Sequence, residues 1–249
     1  MSDIPSLTTE QMVEVDRLMV EEYRITLVQM MENAGRNLAE LTRRQLGGTV
    51  RDRRISVLAG AGNNGGGGLV AARHLSNWGA HVAVILVRPP DKLKDIPAHQ
   101  WRALERTPVE RGTFDPAAPP DLGSEDALLD AIIGYGLQGN PRGPAADLIR
   151  LANDAGVPIV ALDAPSGLDT TEGVPGQPCI RATATLTLAL PKVGLITPEA
   201  RAVVGDLYLA DISVPPALYA APSLGLEVGP IFERDTIVRL SPDGTQVDA

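Results

Sequence analysis

A doubly wound α/β domain is the fold class that this sequence predicts, on three observations. Short, continuous apolar runs recur along the chain, as buried parallel strands require. Amphipathic stretches with helical spacing separate them, matching the crossovers that join such strands. Glycine-rich or acidic segments come after several of the runs, where sheets of this kind bind their ligands.

Taken in order, residues 8–47 read as two helices forming an N-terminal arm. Thr8 with Gln11, and Thr26 with Gln29, have capping-box spacing. Met12, Val15 and Met19, then Met31, Ala34, Leu38 and Leu41, mark one apolar stripe on each. Gly47-Gly48 stops the second helix. Such an arm packs on the sheet or pairs with a second subunit. Residues 55–59 then read as a strand, 60–68 as a glycine loop and 69–78 as a helix ended by Gly79. A strand at 81–87 and a helix at 101–106 come next. The apolar run at 126–133, a helix at 145–155, and strands at 157–162 and 183–190 complete the pattern. The division is a single domain over 1–224, with 225–249 as a tail or an appended edge element.

Composition narrows the function. The 249 residues carry 22 Lys+Arg against 31 Asp+Glu, a formal charge of −9. That balance argues against nucleic acid or an anionic membrane as partner. Aromatics at 3% argue against a base-stacking surface. One cysteine, Cys179, excludes an intrachain disulfide and reads as a small buried hydrophobe. No basic and apolar leader opens the chain, and no apolar run is long enough to span a bilayer, so a cytoplasmic protein is expected.

Four loops hold the chemistry. Gly60, Gly62 and Gly65 spell a dinucleotide fingerprint, but Arg88 rather than an acid comes after the second strand, which would suit a 2′-phosphate. Six glycines in residues 60–68 carry an entropic cost of ~0.5–1 kcal/mol each against alanine, which calls for a close approach of something. No Lys-Ser or Lys-Thr comes after them, so a P-loop is excluded. Asp130 lies in an apolar run and needs a partner, and the glycines of 134–140 offer open amides suited to phosphate. Asp163 ends a strand, with Ser166 close behind but no histidine to make a triad. Lys192, one of three lysines, stands just after the last strand.

In combination these motifs are more specific. Gly62-Asn63-Asn64-Gly65-Gly66, Asp130 with its glycine loop, Asp163-Ala164-Pro165-Ser166-Gly167-Leu168-Asp169 and Pro191-Lys192 resemble the YjeF N-terminal domain family, as do Met31–Gly35 and 205–215. The resemblance covers about residues 8–220. It implies a Rossmann-like, often dimeric NAD(P)H-hydrate epimerase that interconverts the R and S hydrates of NADH and NADPH for an S-specific dehydratase, here a separate partner. It implies substrate contacts from Asn63, Asn64, Gly65, Gly66 and Gly67, and from Gly134, Tyr135, Gly136, Leu137, Gln138, Gly139 and Asn140. Asp163 would contact the hydrated ring and carry its proton, and Lys192 would steer charge. Asn64, Asp130 and Ser166 would bind a potassium ion, and no redox cofactor is needed. Two positions depart from the family pattern: Gly67 stands where it has Asp, and Thr183 where many members have Asp. The first keeps open a binding module without catalysis; the literal fingerprint keeps open an NADP-dependent oxidoreductase.

Overall fold

The computed structural model describes residues 4–247. Helices α1 (Thr9–Glu21) and α2 (Leu27–Gln45) come first, each opened by its capping box: Thr8 and Thr26 accept from the Gln11 and Gln29 amides, whose side chains reach back. Next are β1 (Arg54–Ala59), α3 (Asn63–Asn77), β2 (His81–Leu86), α4 (Asp95–Ala103), β3 (Glu110–Thr113) and β4 (Ala127–Ala131). The second half has α5 (Pro144–Asp154), β5 (Ile159–Leu162), β6 (Ala184–Leu188), α6 (Arg201–Val204), β7 (Asp206–Ala210), α7 (Pro216–Tyr219) and β8 (Ile237–Leu240).

The sheet order is β3-β2-β1-β4-β5-β6-β7-β8. All neighbours are parallel except β7 and β8, so the fold is a mostly parallel, Rossmann-like sheet. Side chains alternate across it. Ile55, Val57, Leu129 and Val160 join the core formed with α1, α2 and α3, while Leu58, Leu128 and Ala161 face Leu148 and Ile149 of α5. The arm packs within its own chain, burying Met12, Val15, Leu18 and Met19.

Two sequence expectations shift, and one strand was not expected. The glycine segment is mostly helix: α3 begins at Asn63, so Gly65–Gly68 lie inside it rather than in a loop reaching residue 68. Propensity argued against this, but tertiary packing overrides it. A Cβ on Gly65 would strike the Gly60 carbonyl, so the close approach that these glycines permit is that of helix to strand. The helix expected at 101–106 instead runs Asp95–Ala103. Strand β3 is exposed at every position and carried no apolar signal. Within 225–249, β8 adds an antiparallel edge to the same sheet.

Candidate active site

The strands end side by side, and the segment leaving each one meets those of its neighbours. After β5 the chain turns sharply at Asp163, a non-glycine residue with φ +69°. Non-glycine residues held in that region often mark functional sites. The Asp163 amide donates to the Leu186 carbonyl at 2.7 Å, which anchors the turn on β6. Its side chain is then aimed at two donors. Lys192 Nζ lies 2.5 Å from Asp163 Oδ1, and the Tyr135 amide donates to Oδ2 at 2.8 Å.

Lys192 is fully buried, an unusual place for a lysine. Its ammonium is satisfied by Asp163, by the Leu188 carbonyl at 2.9 Å and by Thr187 Oγ1 at 3.3 Å. The Tyr135 ring covers it, with the centroid 5.9 Å from Nζ. Leu7 brackets the same lysine, donating to the Pro191 carbonyl and accepting from the Val193 amide.

Asp130, at the end of β4, is fully buried with a different set of partners. Its oxygens accept from the Ser166 amide at 2.7 Å, Ser166 Oγ at 2.6 Å and the Ile132 amide at 3.2 Å. Ser166 Oγ in turn accepts from the Ile133 amide at 2.8 Å. Among the described residues no basic side chain pairs with Asp130, and burial pushes its carboxyl up to about 6.

Gly134 is the meeting point. A Cβ placed there would lie 2.7 Å from Asp163 Oδ2 and 3.4 Å from Asn64 Oδ1. Asn64 is tied to β5 by its Nδ2, which donates to the Leu162 carbonyl at 3.3 Å. Segments after β1, β4, β5 and β6 therefore converge on one spot. Gly134, Tyr135 and Leu137 are half-buried there, while Gly136, Gln138, Gly139 and Asn140 are exposed. Asn140 Oδ1 holds the Gln177 amide at 2.8 Å.

The first glycine segment divides. Asn63, Asn64 and Gly65 open α3, which has no side-chain cap, and helix starts of that kind attract anions. Gly66 already donates to the Gly62 carbonyl and faces Ile96 and Pro97 of α4. A Cβ on Gly67 would sit 2.7 Å from Leu162 Cδ2, with Met31 and Ala34 behind it. The carboxylate absent from position 67 would have projected among apolar side chains.

Other candidates lie elsewhere. Thr183 joins β6 to β5, its Oγ1 accepting from the Ile159 amide, and Arg88 is exposed beyond β2. Cys179 is buried, with its thiol pushed up to about 12 by desolvation. A cavity of about 390 Å³ opens beside β7, between Asp211–Pro216 and Val228–Glu233, with Ala189 on its wall and neither Asp163 nor Lys192 lining it.

Sequence reasoning missed Asp16. This residue of α1 accepts the Tyr135 hydroxyl at 2.6 Å. The only signal was a carboxylate standing one turn from Met12 on an otherwise apolar stripe.

Comparison with known proteins adds a family. Residues 27–194 match the model of the YjeF-related protein N-terminus. An NAD(P)H-hydrate epimerase from Dehalogenimonas lykanthroporepellens is 44% identical over 221 residues, covering 89% of this chain and 87% of that protein. A bifunctional NAD(P)H-hydrate repair enzyme from Moorella thermoacetica is 38% identical over 219 residues, 86% of this chain and 41% of that longer protein. The crystal structure of yeast ynu0 superposes with a TM-score of 0.77 at 24% identity, over 95% of this chain and all of that one, which supports the fold.

Proposed function

The chain belongs to the YjeF N-terminal domain family, and from that premise we infer that it is an NAD(P)H-hydrate epimerase, an isomerase of nicotinamide-cofactor repair. The observation that ties this activity to a site is the buried Asp163–Lys192 pair at the carboxyl ends of the strands.

The carbon bearing the added hydroxyl adjoins the ring nitrogen of the hydrated nicotinamide. Once the hydroxyl oxygen gains a proton, the nitrogen lone pair expels it as water and leaves a ring cation. Water then adds to the opposite face and loses a proton. No electrons pass to another molecule, so the reaction calls for no redox cofactor. Asp163 carries the proton at that oxygen, and general acid–base catalysis of this kind contributes ~10²–10⁴-fold. Lys192, fully buried with its ammonium held by Asp163, Leu188 and Thr187, orients Asp163 and places positive charge beside it rather than touching the oxygen itself. The uncapped amides of Asn63, Asn64 and Gly65 and the open backbone of 134–140 suit the pyrophosphate.

A potassium ion belongs to this reading. Asn64, Asp130 and Ser166 offer only oxygen to a cation, the donor class that hard cations take. Asp130 is a buried carboxylate held by neutral donors, so a monovalent cation would supply the missing charge. Asn64, Asp130 and Ser166 would hold the ion, which would supply positive charge beside the buried Asp130. In this reading the protein works in the cytoplasm as a homodimer, and an S-specific dehydratase is its functional partner. Among the described residues no helix is long and apolar enough to cross a membrane. Val13 and Val20 also leave apolar surface on the outer side of α1. Light scattering on the purified protein tests the dimer.

A coupled assay tests the activity. The R,S mixture of NADPH hydrate is given to an S-specific dehydratase with its nucleotide, with and without this protein. Complete consumption of both epimers is expected. Persistence of the R form at its spontaneous rate would overturn the reading.

A further inference from the structure

Tyr135 ties the proton-transfer pair to the body of the N-terminal helix. Tyr135 donates its amide to Asp163, lays its ring over Lys192 and donates its hydroxyl to Asp16 Oδ2 at 2.6 Å. Its carbonyl also accepts from Thr170 Oγ1 at 3.2 Å. Helix α1 is anchored to the same neighbourhood, because Leu7 brackets Lys192 and Thr9 Oγ1 lies 2.9 Å from Thr171 Oγ1.

Asp16 is half-buried and lies on the helix face that carries the buried Met12 and Met19. A carboxylate there packs worse than a leucine and is costly to desolvate; burial pushes its carboxyl above the usual range. Its one described hydrogen bond goes to Tyr135. Stability does not account for that arrangement, whereas placement of Tyr135 does.

We propose that Asp16 is a positioning residue for epimerisation: it holds Tyr135, and through it segment 134–140, in the register that presents the Tyr135 amide to Asp163 and the ring to Lys192. The claim rests on the epimerase reading for its catalytic half and on geometry alone for its structural half. Small misplacement of a catalytic group is expensive in rate, up to about 100-fold for about 1 Å.

The experiment compares wild type, Asp16→Ala, Tyr135→Phe and the double variant in the coupled assay. Hydrogen exchange of peptide 134–140 is measured on the same samples. Each single variant is expected to lose ~10–100-fold in kcat with a much smaller change in KM. The double variant is expected to lose no more than the worse single one, since both cut the same link. Asp16→Asn keeps an oxygen acceptor and is expected to recover most of the loss. Exchange at 134–140 rises in Asp16→Ala and in Tyr135→Phe. Three results overturn the proposal: unchanged kcat in Asp16→Ala with only lower thermal stability, losses that multiply in the double variant, or unchanged exchange at 134–140. If wild type itself fails to epimerise, the epimerase reading falls, and the exchange measurement alone decides for or against the link.

Discussion

The ends of β4 and β5 carry two buried aspartates in opposite electrostatic settings. Asp163 faces the ammonium of Lys192 and one amide; Asp130 faces two amides and a hydroxyl and, among the described residues, no cation. Both would read alike from sequence, as carboxylates closing an apolar strand. The difference teaches what each can do. A carboxylate beside a lysine ammonium has a charged donor as partner, and its backbone turn sets it where the segments after β4 and β6 meet. A carboxyl wrapped in neutral donors ties two loops together.

The strongest way to break this contrast is Asp163→Asn. Epimerisation is expected to fall by ~10²–10⁴-fold in the coupled assay. Lys192 is then left as a buried charge without its counter-ion, so urea unfolding is expected to show a loss of about 3–5 kcal/mol. Asp163→Asn with Lys192→Met removes both charges and should regain much of that stability with no activity. Full activity in Asp163→Asn would remove the residue from the chemistry.

Next in size is Gly67→Asp, which adds a third buried carboxylate with neither kind of partner. Against Leu162, Met31 and Ala34 it should cost about 3 kcal/mol or more by urea midpoint, with no gain in kcat. A rise in kcat would show that the carboxylate reaches the substrate after all.

Asp130→Asn keeps shape but turns an acceptor into a donor opposite the Ser166 amide. A loss of about 1–3 kcal/mol is expected, again by unfolding. The smallest perturbation is exchange of potassium for lithium. Wild type is expected to lose activity and thermal stability in lithium, and Asp130→Asn to be indifferent. Equal sensitivity of both proteins would exclude Asp130 from cation binding.

Much of this was legible in the residues. Capping boxes, apolar runs and the ends of strands are local signals, and each places a backbone segment without reference to the rest of the chain. Thr8, Thr26 and the stripes of α1 and α2 sit where their spacing implies. Strand β3 escaped because an exposed edge has no apolar run. The role of Gly65–Gly68 escaped because a run of glycines has the same spelling in a ligand loop and in a helix pressed against a strand. Asp16 escaped because its partner is 119 positions away.

Sequence alone determined the α/β class and the order of β1, β2, β4, β5 and β6 with the helices between them, since these come from periodicity and turn chemistry along the chain. Tertiary structure decided which of those ends touch. It gave Asp163 a cation and Asp130 none, turned Gly67 inward, and brought Asp16 to Tyr135. Coulomb energy, desolvation and steric contact act through space, and distance along the chain does not measure them.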